Sequence, residues 1–225
     1  MSKNNVFHTN ILEFGSQTIE LLKNSLNNNK VSITSTDTLF GLLGNITLAA
    51  FNKLNTIKLQ RENKPYLILI KSKDKLHEFV DSEALKNPNL IQLIDKCWPG
   101  PLTIIFKAKT GLPSFLTSDT GTIALRCPKH NNLQKLLEHF DGLFSTSANQ
   151  SNKPTPTKIE NISPEILKKI DYLVVDRESY LEQTLPSTLI DVSNKEIKIV
   201  RPGAFPVNKL EEFYGKKFKK SGEIK

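Results

Sequence analysis

Five stretches of this chain set hydroxyls or an arginine where an apolar run gives out. They are Ile33-Thr34-Ser35-Thr36-Asp37-Thr38, Thr122-Ile123-Ala124-Leu125-Arg126, Ser145-Thr146-Ser147-Ala148-Asn149, Pro186-Ser187-Thr188 and Ile199-Val200-Arg201. Lys58, Gln60, Arg61 and Lys64 add a basic cluster ahead of the apolar run Tyr66–Ile70, and Pro99-Gly100-Pro101 makes a rigid turn. Any one of these stretches has a structural reading, because Ser, Thr and Asp cap helices and close turns. As a set they point elsewhere. Cations with neutral hydroxyl donors, and no His or paired Asp/Glu among them, suit a phosphate-bearing ligand. Nucleotidyl transfer fits such a set, because it asks the protein mainly for positioning and for neutralisation of charge spread over phosphate oxygens.

Other chemistries lack their signatures. Neither GxxxxGKS/T nor GxGxxG occurs, so neither a P-loop nor a Rossmann fingerprint is present. The four histidines, His8, His77, His130 and His139, form no HExxH or other ligand spacing, which argues against a zinc site. No GxSxG surrounds any serine, so a hydrolase elbow has no support. Cys97 and Cys127 stand apart without CxxC spacing and read as reduced, partly buried thiols.

The 225 residues are enough for one domain with a real core. No run approaches 18 apolar residues, and Met1–Asn10 lacks the apolar stretch of a secretory signal, so a cytoplasmic protein with no membrane partner is expected. The net charge of +8 is concentrated partly at the end, in Lys216, Lys217, Lys219, Lys220 and Lys225. That end is either a solvated basic tail or an electrostatic footprint for RNA, and composition does not choose.

The elements that must position these residues follow from periodicity. Helices are expected over 14–28, 47–59, 76–79, 85–97 with Pro88 opening its helix, 133–140, 164–170 and from Val207 onward. Strands are expected over 30–34, 66–70, 102–106, 122–126, 143–145, 172–175, 187–192 and 197–201. Without a strict β-α-β rhythm, the pattern favours a mixed twisted sheet with helices packed on it. The loop 150–163 is long enough to be functional.

In this order the stretches resemble the YrdC-domain family. Thr36-Asp37-Thr38-Leu39-Phe40-Gly41-Leu42 is similar to its PTETVYGL signature. Trp98-Pro99-Gly100-Pro101-Leu102-Thr103, Ile123 to Pro128, Ser145 to Ser151, Pro186 to Asp191 and Ile199 to Gly203 follow in the family's order, over about residues 15–207. The resemblance implies an α+β (α/β-type) fold: a YrdC/RibB-like open twisted mixed sheet with helices around a deep basic cavity. It implies an N-terminal extension over 1–14, a domain over 15–207, a C-terminal helix and basic tail over 208–225, and the family's single-domain form. It implies the activity of a threonylcarbamoyl-AMP synthase, a nucleotidyltransferase. L-threonine, bicarbonate and ATP would give threonylcarbamoyl-AMP, pyrophosphate and water, for the t6A modification of tRNA.

By the same resemblance Thr36, Thr122, Arg126, Ser145 and Ser187 would bind threonine, with Arg126 on its carboxylate. Lys58, Gln60, Lys64, Ser147, Asn149, Thr155 and Arg201 would hold ATP, and Lys58, Arg61, Ser147 and Asn149 would form the catalytic set. Mg2+ would come with ATP, without a tightly bound cofactor or a metal held by protein side chains. Partners would be the t6A-modification proteins and tRNA or another RNA, including double-stranded RNA, without DNA specificity. One departure stands out. The family reads Lys-x-Arg, whereas here Gln60 takes the arginine position and Arg61 is shifted by one. Either a bulge lets Arg61 substitute or the site works with one cation fewer. A binding protein for RNA or nucleotide with the same fold and no synthase activity is the alternative.

Overall fold

The computed structural model describes residues 10–59, 65–176 and 185–220. Its strands are β1 (Asn10–Glu13), β2 (Ser32–Thr34), β3 (Gly41–Asn45), β4 (Leu67–Leu69), β5 (Leu102–Lys107), β6 (Thr122–Arg126), β7 (Leu143–Ser147), β8 (Tyr172–Val175), β9 (Thr188–Asp191), β10 (Lys198–Arg201) and β11 (Lys219–Lys220). The α-helices are α1 (Ser16–Asn27), α2 (Leu48–Lys58), α3 (Leu76–Phe79), α4 (Pro88–Cys97), α5 (Asn131–Leu137), α6 (Pro164–Leu167) and α7 (Val207–Tyr214). All strands join one mixed sheet, in the order β1-β8-β2-β3-β7-β4-β6-β5-β9-β10-β11.

Helix α4 shows how local sequence sets an element. The Asn87 side chain accepts from the Asn89 and Leu90 N–H groups, Pro88 occupies the first turn, and Leu90, Leu93, Ile94 and Cys97 fall on one buried face. In α1, Ile19, Leu22 and Leu26 are buried in the same manner, whereas Leu21 points outward.

The two sheet faces are covered differently. On one, Ile33, Leu42, Ile68, Ile104, Leu125 and Phe144 pack under α2, α3, α4, α6 and α7 as the main core. On the other, α1 and α5 cover only Leu43, Leu69, Leu143 and Val174. Each fully buried aliphatic side chain contributes about 1.5–3 kcal/mol, so both layers are held mainly by burial. The rest of the second face stays open, and the cavity described below lies there.

The sheet is wider than the expected domain of 15–207. β1 pairs with β8 at one edge, and β11 pairs with β10 at the other. Leu210 and Phe218 are buried, Lys217 pairs with Glu211 at 2.7 Å, and Lys219 pairs with Glu196 at 2.6 Å. Residues 215–220 are therefore folded against the sheet edge, and two of the lysines expected in a free basic tail already have carboxylate partners. Lys225 lies outside the described residues. β7 also runs on through Ser147, two residues past its expected end, because β3 pairs along its whole length. β3 itself was not expected. Its sequence, Gly41-Leu42-Leu43-Gly44-Asn45, has little strand propensity, and pairing with β2 and β7 makes it a strand.

Candidate functional site

Alternation along strands explains why hydroxyls sit in β7. Directly paired residues share a face. Ser147 faces Gly41, Ser145 faces Leu43 and Leu67, and Leu69 faces Arg126. Thr103 faces Leu189, which also faces Arg201. Ser145, Ser147, Arg126, Thr103 and Arg201 therefore lie on the one open face, contributed by four neighbouring parts of the sheet. They line a cavity of about 240 Å3, together with Thr36, Thr38 and Ser187.

Close backbone approach shapes its floor. A Cβ on Gly41 would lie 3.2 Å from Ser145 Oγ and 3.3 Å from Thr36 Cγ2, so a side chain there would crowd both hydroxyl residues. Thr36 Oγ1 donates to the Leu39 carbonyl at 2.8 Å and accepts from the Thr38 N–H at 3.1 Å, which holds the turn after β2. Ser187 Oγ and Thr103 Oγ1 are 2.7 Å apart.

Two guanidinium groups supply the charge. Arg126 is 3% exposed; its Nη2 donates to Asp37 Oδ1 at 3.0 Å and its Nη1 to Thr38 Oγ1 at 2.9 Å. Among the described residues its buried Nε has no hydrogen-bond partner. Two of its nitrogens thus donate within the chain, and each Nη keeps a second N–H for a ligand such as the expected carboxylate. Arg201 donates from Nη2 to the Ser187 carbonyl at 2.8 Å. Desolvation first, and then the charge of Arg126, lower the Arg201 pKa from its ordinary value. Two like charges drawn toward one cavity favour an anionic ligand.

A second cluster surrounds the end of β7. Lys58 is buried, and its ammonium donates to the Ser147 carbonyl at 2.9 Å, to Asn149 Oδ1 at 3.0 Å and to the Asn149 carbonyl. Ser147 Oγ also donates to Asn149 Oδ1, and Asn149 Nδ2 donates to the Lys153 carbonyl. The structure thus brings together Lys58, Ser147 and Asn149 of the expected catalytic set. The Lys58 ammonium donates to the carbonyls of the Ser147–Asn149 turn, so it anchors that turn. A further cavity of about 410 Å3 begins here, lined by Asn149, Lys153, Thr155 and Asn161. Thr155 is therefore near Asn149 and outside the first cavity. Thr122 is on the cavity face of β6 but at the strand's other end, bonded to Ser118 and outside the lining. Gln60, Arg61 and Lys64 lie outside the described residues.

Sequence reading gave no role to Asp37, Thr38 or Thr103. A hydroxyl in the otherwise apolar run Leu102–Phe106 is the signal that marks Thr103. For Asp37 the signal is weaker, because an Asp in a Ser/Thr-rich turn is ordinary.

The buried thiols are inert at neutral pH. Burial pushes Cys97 up to about 12 and Cys127 up to about 11. His130 caps α5, its Nδ1 accepting from the Leu133 N–H at 3.2 Å, with Nε2 3.8 Å from Asp176 Oδ2. Burial lowers its pKa, and the nearby Asp176 and Asp37 only partly oppose this. Between that lowered value and the unfolded value of about 6.5 the unfolded chain binds more protons, so His130 contributes stability above about 6.5 that is lost as pH falls. His130→Asn keeps a capping oxygen and removes the titration. Urea midpoints at pH 7.5 and 5.5 should then fall less in the variant than in the parent protein. Equal falls would show that His130 does not carry the acid sensitivity.

The chain has relatives along most of its length. Residues 24–203 match the model of the Sua5/YciO/YrdC family, whose description is "Telomere recombination". A Methanocaldococcus jannaschii protein, provisionally named threonylcarbamoyl-AMP synthase, is 36% identical over 194 residues, 85% of this chain and 88% of that one. The crystal structure of Pyrococcus abyssi Sua5 complexed with L-threonine superposes with a TM-score of 0.80 at 25% identity, covering 94% of this chain and 62% of that chain. This chain thus spans less than two thirds of the Pyrococcus protein. E. coli YciO superposes with a TM-score of 0.76 at 22% identity over 90% of this chain and 99% of that chain, a likeness of fold.

Proposed function

The chain belongs to the Sua5/YciO/YrdC family, and from that premise we propose that it is a threonylcarbamoyl-AMP synthase that uses L-threonine, bicarbonate and ATP. The observation that carries this reading is the cavity on the open sheet face, where Arg126 and Arg201 converge with Thr36, Thr38, Thr103, Ser145, Ser147 and Ser187, in a fold shared with a relative solved with L-threonine. The chemistry balances without a protein nucleophile. The threonine amine adds to bicarbonate carbon with loss of water, giving a carbamate. A carbamate oxygen then attacks the α-phosphorus of ATP, and pyrophosphate leaves.

Each step asks the protein for placement. Arg126 receives the threonine carboxylate through its remaining N–H groups. The hydroxyls of Thr36, Ser145 and Ser187 offer donors and acceptors to its polar groups. Arg201 and the Ser147–Asn149 turn meet the nucleotide, and the larger cavity beside Asn149 and Thr155 has room for its remainder. Mg2+ would accompany ATP as the counter-ion of the triphosphate and would supply neutralisation of phosphate charge. Phosphate oxygens and water would supply its ligands. The adenylate would be passed to the proteins that modify tRNA.

Incubation with ATP, threonine and bicarbonate should yield threonylcarbamoyl-AMP by mass, with pyrophosphate release that needs both threonine and bicarbonate. ATP binding without that adduct would overturn the synthase reading and favour a nucleotide-binding protein of the same fold.

A further inference from the structure

Arg126 sits in the cavity under unusual constraint. An arginine has a long, rotatable stem, and its value as a carboxylate receptor depends on a held fork. Here the turn after β2 holds it. Asp37 Oδ1 accepts from Nη2 and Thr38 Oγ1 accepts from Nη1, across 89 and 88 residues of sequence. Asp37 is itself fixed from behind, because its other oxygen accepts from the Lys129 N–H at 2.9 Å, three residues past Arg126. The ion pair is buried, with side-chain exposures of 4% for Arg126 and 5% for Asp37. The second cation, Arg201, feels the charge of Arg126. The Asp37 carboxylate, which is not among the residues lining the cavity, offsets that repulsion.

We infer that Asp37 is a positioning residue for substrate recognition: it clamps and charge-balances Arg126 so that the guanidinium's remaining N–H groups present a fixed receptor for the carboxylate of the amino-acid substrate. This rests on the reading that Arg126 receives that carboxylate. Asp37 touches no substrate in this account and acts only through Arg126. Thr38 serves the same clamp as the neutral second tether.

The test compares L-threonine with L-threoninamide, which keeps the side chain and amine and lacks the carboxylate. Affinities of both are measured by calorimetry for the parent protein, Asp37→Asn, Asp37→Glu and Thr38→Val. The parent protein should prefer threonine, and a parent that binds neither, or both alike, would sink the underlying reading of Arg126 and not this inference alone. In Asp37→Asn, threonine affinity should fall at least about tenfold while threoninamide affinity changes less than about twofold. Asp37→Glu, which keeps the charge, should recover part of the preference. If Asp37→Asn does not fold, Thr38→Val carries the test, with a smaller loss confined to threonine. Equal losses for both ligands would mean that Asp37 only supports the fold. Unchanged or tighter threonine binding would mean that Asp37 competes for Arg126. Either result overturns the inference.

Discussion

Replacing Lys58 by methionine is expected to destabilise the ligand-free protein by about 2–4 kcal/mol, since three part-buried acceptors lose a charged donor. For a chain of this length that is a fall in thermal midpoint of roughly 5–15 °C. The physical cause is visible in the cluster at the end of β7. The Lys58 ammonium joins the Ser147 carbonyl and both oxygens of Asn149, some 90 residues away in sequence. Without it the Ser147–Asn149 turn is free to drift, and a displacement of about 1 Å at a positioning site lowers turnover about a hundredfold. Differential scanning fluorimetry of the ligand-free variant separates this role from that of a phosphate ligand. A lysine kept only for the triphosphate would be replaced without loss of ligand-free stability, so an unchanged midpoint with lost activity would show that Lys58 serves the nucleotide and not the turn.

Gly203→Ala should be equally severe for a different reason. A Cβ at Gly203 would stand 2.3 Å from the Pro186 carbonyl oxygen, 2.6 Å from the Ser187 carbonyl carbon and 2.6 Å from the Thr188 nitrogen. All three are backbone atoms, so no side chain can rotate away. The Ala204 N–H to Pro186 carbonyl bond at 2.8 Å and the Arg201 to Ser187 carbonyl bond at 2.8 Å hold the same two segments together. Forcing them apart should cost about 3 kcal/mol or more and move Arg201 and Ser187 away from the cavity. Turnover should fall about a hundredfold or more. Gly15→Ala is the control, because nothing lies within 4 Å of its added Cβ and its backbone is extended, so activity there should stay within about twofold. If Gly203→Ala retained activity within about threefold, the Arg201–Ser187 contact could not be what the site depends on.

Sequence by itself determined the elements whose signals are local. Pro88 followed by apolar residues three and four apart makes α4 legible, and the alternating or apolar runs of β6 and β8 mark those strands at the ends they have in the structure. Charge type was equally legible, since cations with hydroxyls and few acids already imply an anionic ligand.

Tertiary structure decided what each of those groups is free to do. Asp37 and Arg126, and Lys58 and Asn149, meet only because β2, β6, β7 and α2 are brought side by side, and no local pattern encodes a partner 89 or 91 residues away. The same holds for β3 and for the edge strands β1 and β11, whose short or glycine-containing sequences become strands only through hydrogen bonds to neighbours. Propensity acts over a few residues, whereas ladder pairing and the burial of a charge depend on the whole sheet, so sequence could mark Arg126 and Lys58 as cations but only the fold could show that each is already held.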